Sequence, residues 1–183
     1  MKTRISIAVI IVYLFLSTNS NAQIKSVNVG ASIGLGEIKG NSPSVTSLGT
    51  SIYLDFQPWF SNDLTLRTGF IYAQKLERFL PESRILRYYP FIRSYYLKGV
   101  LRVDLNDLFY IEPGAGLIYL NDRTFGDINE WEPGASFNFL YGIDFSDSER
   151  RGIHLGIGLD YGITFMKTSA SYYLIYIQIQ KKL

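Results

Sequence analysis

Residues 24–183 alternate between apolar and non-apolar side chains almost without interruption. In Ser26–Gly36, Val27, Val29, Ala31, Ile33 and Leu35 share one parity, while Ser26, Asn28, Gly30, Ser32, Gly34 and Gly36 share the other. Ile153–Met166 repeats the pattern, with Ile153, Leu155, Ile157, Leu159, Tyr161, Ile163 and Phe165 on one side. A period of two belongs to strands whose faces meet different environments. No long helical period interrupts it, which excludes folds that alternate strands with helices.

The pattern divides into eight segments, near 25–37, 47–60, 64–78, 92–105, 108–120, 131–145, 152–166 and 170–182. Ser61-Asn62-Asp63, Asn106-Asp107 and Ser146–Arg151 are short polar connections, as is Lys167-Thr168-Ser169. Lys39–Thr46, Phe79–Phe91 and Asn121–Glu130 are longer. Tight turns at one end and mostly longer loops at the other predict an all-β fold, an eight-stranded antiparallel up-and-down transmembrane β-barrel with its turns periplasmic.

Glycine decides which face looks outward. Gly30, Gly34, Gly69, Gly116, Gly142, Gly158 and Gly162 all fall on the non-apolar parity. In a soluble barrel with an apolar interior, that parity would be a solvated surface, which glycine covers poorly. Inside a narrow eight-stranded barrel glycine makes room for neighbours. The Val, Ile, Leu, Phe and Tyr parity then faces lipid. Phe56, Trp59, Phe60, Phe109 and Phe145 gather near the turns, and Tyr72, Tyr95, Tyr119, Trp131, Phe165 and Tyr173 near the loops, as interfacial girdles would.

The first residues read as a signal peptide, 1–22, ahead of a barrel domain, 23–183. Lys2 and Arg4 precede the apolar run Ile5–Leu16, and Ser20-Asn21-Ala22 supplies small residues for cleavage after Ala22. Removing that segment takes away two basic residues and no acidic ones, which leaves 16 of each sign. A neutral chain offers no electrostatic footprint for nucleic acid. With no cysteine, neither disulfides nor thiolate metal sites arise.

A signal ending Asn21-Ala22-Gln23, the stretch VNVGASIGLG (27–36) and YIEPGAGLIYL (110–120) together carry a family likeness. On these, the chain resembles the small outer-membrane β-barrel proteins of Gram-negative bacteria, the OmpX/OmpA type grouped as outer membrane β-barrel or porin family domains. One departure is the end, where family members close on an aromatic residue and this chain closes on Leu183. The resemblance implies a barrel placed in the cell outer membrane by the insertion machinery. It implies no particular activity, because one fold hosts many functions.

Parity turns Asp55, Arg67, Lys75, Lys98, Arg102, Asp104, Glu112, Glu132, Asp144, His154 and Asp160 inward. Turn-based registers set Arg102 opposite Glu112, Asp144 opposite His154, and Asp55 diagonal to Arg67. The expectation is a salt-bridged plug in the periplasmic half, since an unpaired member there is costly. Bulky inward residues, among them Tyr53, Trp59, Arg67 and Lys98, argue against an open pore. Pro113 and Pro133, in two EPGA tetrapeptides, predict bulges or rim positions.

Catalysis finds little support. His154 with Asp144 is the one His–carboxylate pair available, and Ser32 and Ser136 sit far up the strands from it. No metal-ligand spacing appears, and no cofactor is expected. In the second long loop, Arg84 and Arg87 interleave with Tyr88 and Tyr89, a pattern suited to lipopolysaccharide phosphates or a protein ligand. The functional expectation is a non-enzymatic barrel for envelope integrity, surface-loop interaction or membership of a larger assembly. Its partners would be outer-membrane lipids and an envelope protein. A narrow channel and a lipid-modifying enzyme are the alternatives.

Overall fold

Alternation becomes a closed ladder. The computed structural model describes residues 24–80, 88–146 and 152–182. The predicted signal peptide and the arginines at 84 and 87 lie outside them. The strands are β1 (Ile24–Lys39), β2 (Val45–Pro58), β3 (Leu64–Lys75), β4 (Phe91–Leu101), β5 (Val103–Asp104), β6 (Phe109–Arg123), β7 (Glu130–Asp144), β8 (Ile153–Thr164) and β9 (Ser171–Lys182). Each pairs antiparallel with its sequence neighbour except that β4 and β5 both lie along β6, so they form one stave of eight. Pairing of β1 with β9 and of β4 with β6 closes the ring. In hydrocarbon each unpaired backbone group costs several kcal/mol, and closure removes the edges that would carry them.

The break between β4 and β5 has a local cause. Continuing the β4–β6 register brings Leu101 opposite Pro113, where one ladder stops before the other resumes. Proline has no N–H to give there. Arg102 N–H instead donates to Asp63 O at 2.8 Å, tying the break to the adjacent turn. Pro133 lies one residue beyond the β7–β8 ladder, at the loop rim, where its carbonyl accepts Phe165 N–H at 3.2 Å. Neither proline carries a bulge; the register shift lies instead at Ile24/Ser26.

Glycine and tyrosine share the inner face by cross-strand pairing. Tyr53 stands between Gly30 and Gly69, and Tyr176 between Gly34 and Gly158. Tyr110 faces Gly142 and Tyr172 faces Gly162. A Cβ at Gly142 would come within 2.2 Å of the Tyr110 ring. Each ring thus lies over a site left empty for it, which fills a lumen too narrow for large residues on every strand.

The outer face is apolar and open: Leu117 is 68% exposed and Ile177 63%. A contiguous apolar exterior with polar residues inside is the reverse of a soluble barrel. At the loop end of this face Trp131 stacks between Tyr119 and Tyr95, at 5.0 and 5.9 Å, with the Arg93 guanidinium 5.3 Å from its ring. At the turn end Phe109 stacks on Tyr141 at 5.6 Å. Trp59 departs from expectation. It falls in the turn after Pro58, 65% exposed and edge-on to Phe60, rather than in the lumen.

Candidate functional site

The lumen has three levels, each built from the inward parity. At the loop end Ile38, Ile71, Ala73, Ile92, Ile118 and Leu120 form an apolar cluster under the loops. Below it lies a layer of ion pairs. At the turn end the lumen widens into a vestibule of about 520 Å³.

The middle layer is organised by two cations. Arg67 on β3 holds Asp55 on β2 through both carboxylate oxygens, each at 2.8 Å. It also reaches Glu112 on β6 at 2.9 Å and lies 4.4 Å from the Tyr53 ring. Gln180 Nε2 donates to Asp55 Oδ2 at 3.1 Å. Lys98 on β4 crosses the lumen to Asp160 on β8 at 2.6 Å, and Tyr172 donates to the same carboxylate at 3.1 Å. Arg67, Lys98, Asp55 and Glu112 are all buried. Such charges persist only when paired and hydrogen-bonded. Arg67, Lys98 and Asp160 line a void of about 20 Å³, room for about one water.

One register and one ion pair differ from the sequence-based expectation. Asp55 sits directly opposite Arg67 instead of diagonal to it. The cause is the turn: residues 59–63 all belong to it, and Ser61 Oγ accepts Leu64 N–H at 3.0 Å to close it. Arg102 is level with Glu112 by register but does not bond to it. Its guanidinium takes Asp104 at 2.8 Å and Asp144 at 2.6 Å, while Glu112 goes to Arg67. Strand tilt explains the exchange, because residues at one height in a barrel are offset in register. Of the other inward ions, Lys75 pairs with Glu77 at the loop rim at 2.9 Å. Glu132 accepts from Thr164 Oγ1 at 2.8 Å and Thr168 N–H at 2.9 Å.

The vestibule holds a Ser, an Asp and a His in contact. His154 Nε2 lies 3.3 Å from Asp144 Oδ1, and Ser146 Oγ bonds that same oxygen. Ser146 escaped the sequence reading because it stands in a turn, outside any strand parity. The order is wrong for nucleophilic catalysis. A base must stand between nucleophile and carboxylate, whereas here the carboxylate stands between serine and imidazole. His154 Nδ1 has no hydrogen-bond partner among the described residues. Ser136 is buried, and Ser32 lines the small mid-lumen void. No group of three or more His, Asp or Glu among the described residues is placed to hold a metal.

At the loop end Tyr88 is exposed and donates to Arg123 O at 2.6 Å, while Tyr89 is buried. The structure therefore presents Tyr88 outward and does not present Tyr89.

No family model and no curated protein sequence matches the chain. Among solved structures, Neisserial surface protein A superposes with a TM-score of 0.60 at 12% identity, covering 84% of this chain and 95% of that one. The chain has the fold of a small outer-membrane β-barrel. Looser matches include the N-terminal β-barrel domain of Pseudomonas aeruginosa OprF, with a TM-score of 0.49 at 13% identity over 89% of this chain and 100% of that one. Ail, the attachment invasion locus protein of Yersinia pestis, gives 0.46 at 13% identity over 86% and 97%. At such identities the likeness is one of fold, and roles cannot be carried across residue by residue.

Proposed function

We propose that the chain is an integral, non-enzymatic protein of the Gram-negative outer membrane, exported by residues 1–22 and inserted with its turns toward the periplasm. It acts as a sealed barrel that offers loops on one side and a vestibule on the other to envelope partners. The observation that carries this reading is the blocked lumen. The Arg67 and Lys98 ion pairs leave about 20 Å³ among them, and the apolar cluster stands above. Such a layer leaves little room for a solute to pass. The Ser146–Asp144–His154 order supports the absence of hydrolytic chemistry.

At the loop end, guanidinium groups meet the membrane beside aromatic rings, with Arg93 on Trp131 and Arg123 on Phe91 at 5.8 Å. Lipopolysaccharide phosphates match that chemistry. In planar bilayers the purified barrel is expected to show no steady single-channel conductance. Reproducible unitary openings under the same conditions would replace the sealed-barrel reading with a channel.

A further inference from the structure

Positive charge in the lumen is matched, and positive charge on one part of the outer face is not. Arg67, Lys98 and Arg102 each hold a carboxylate. Arg93 on β4 and Arg123 on β6 hold none among the described residues. Both belong to the outward parity at the loop end, and both are half-buried. Arg93 Nε donates to Asn121 Oδ1 at 2.9 Å, which leaves its terminal nitrogens to donate elsewhere.

Register sets the two side by side. Arg93 is level with Tyr72 on one flank and Asn121 on the other, and Asn121 is level with Trp131. Arg123 is level with Phe91, one outward position above Arg93. The arginines are therefore diagonal neighbours on paired strands, a relation that puts Cβ atoms roughly 7–8 Å apart. The Arg93 guanidinium lies 5.3 Å from the Trp131 ring, and that of Arg123 lies 5.8 Å from the Phe91 ring.

The aromatic residues are one-sided too. The outward ring pairs at this end are Phe70–Tyr95, Tyr72–Phe91, Tyr95–Trp131 and Tyr119–Trp131, all on β3, β4, β6 and β7. Among the described residues, β8, β9, β1 and β2 add no outward ring pair or cation–π pair there. An interfacial girdle serves the whole circumference. This cluster occupies half of it, with two unpaired cations at its upper edge. Its order is that of an amphiphile, with rings against hydrocarbon and charge at the headgroup level.

We propose that this sector binds one lipid with a phosphomonoester headgroup. The inference rests on the reading of the apolar parity as a lipid face. A phosphomonoester carries a charge of about −1.5 to −2 at neutral pH, which matches two guanidiniums, and its terminal oxygens accept from both forks. A phosphodiester brings less charge and fewer terminal oxygens. The acyl chains lie below, against the exposed rings of Tyr95 and Tyr119.

Trp59 and Trp131 make the test internal, because they are the chain's two tryptophans and stand at the turn end and the loop end. The full barrel is placed in phosphatidylcholine vesicles as Trp59→Phe, which leaves Trp131 emitting, and as Trp131→Phe, which leaves Trp59. A lipid with brominated acyl chains quenches a tryptophan that it touches. The probes are brominated phosphatidic acid, a phosphomonoester, brominated phosphatidylglycerol, a phosphodiester, and brominated phosphatidylcholine. Phosphatidic acid is expected to associate beside Trp131 about fivefold more strongly than either other lipid, with no such preference beside Trp59. Adding Arg93→Gln and Arg123→Gln to the chain that keeps Trp131 is expected to remove the preference. If that chain does not fold, the contrast between Trp131 and Trp59 decides. Equal association of phosphatidic acid and phosphatidylglycerol beside Trp131, the same preference beside Trp59, or a preference that survives loss of both arginines would overturn the proposal. Quenching of Trp131 by all three lipids alike sinks this inference alone. No quenching of Trp131 by any of them contradicts the lipid-facing barrel on which it rests.

Discussion

Replacing Arg67 with Met is expected to lower the unfolding free energy by about 3–5 kcal/mol, the cost of leaving buried charge without its partner. Asp55 and Glu112 are both buried and both depend on this guanidinium. Methionine keeps the apolar stem but provides no donor. The two carboxylates then face each other across a low-dielectric lumen. The triple variant Arg67→Met, Asp55→Asn, Glu112→Gln removes all three charges and is expected to recover most of the loss. Urea unfolding in lipid vesicles, followed by the change in gel mobility on heating, measures both. A single variant unfolding at the wild-type urea concentration would show that the triad contributes nothing to stability. A triple variant no better than the single one would place the defect in packing instead of charge.

Leu117→Arg is expected to cost about 2–4 kcal/mol in a bilayer, as a cation does at the midplane of a barrel's lipid face. Leu117 lies at the middle of β6, pairs with Leu97 and Ala135, and points outward. Leu117→Ala removes the same side chain without adding charge and should cost far less. The comparison uses the same urea titration in vesicles. If arginine and alanine cost the same, the outer face does not lie in hydrocarbon, and the apolar parity needs another explanation.

Strand number, strand order and the direction of most strand side chains were legible because the side-chain period is two and one face is uniformly apolar. The glycines were legible as inward residues that make room, but the tyrosines they make room for were not. Pairing Gly30 with Tyr53, or Gly158 with Tyr176, requires the register, and register depends on turn length. The turn at 59–63 shows the difficulty. Pro58-Trp59-Phe60 has the apolar character of a strand end, yet the chain leaves the ladder at Pro58. That single difference moved Asp55 from a diagonal neighbour of Arg67 to its direct partner. The Lys98–Asp160 pair was illegible for a different reason. It spans the lumen between strands that never pair, and no local rule connects residues 98 and 160.

Single-cysteine spin labels along β9 test the central claim most directly, since the natural chain has no cysteine to interfere. The account predicts a period of two in collisions with oxygen, which dissolves in lipid: high at Ile175, Ile177 and Ile179, low at Tyr176 and Gln178. A water-soluble nickel reagent should reach none of the isoleucine positions in the bilayer. Nickel collisions at those isoleucines, with oxygen collisions flat along the strand, would contradict it.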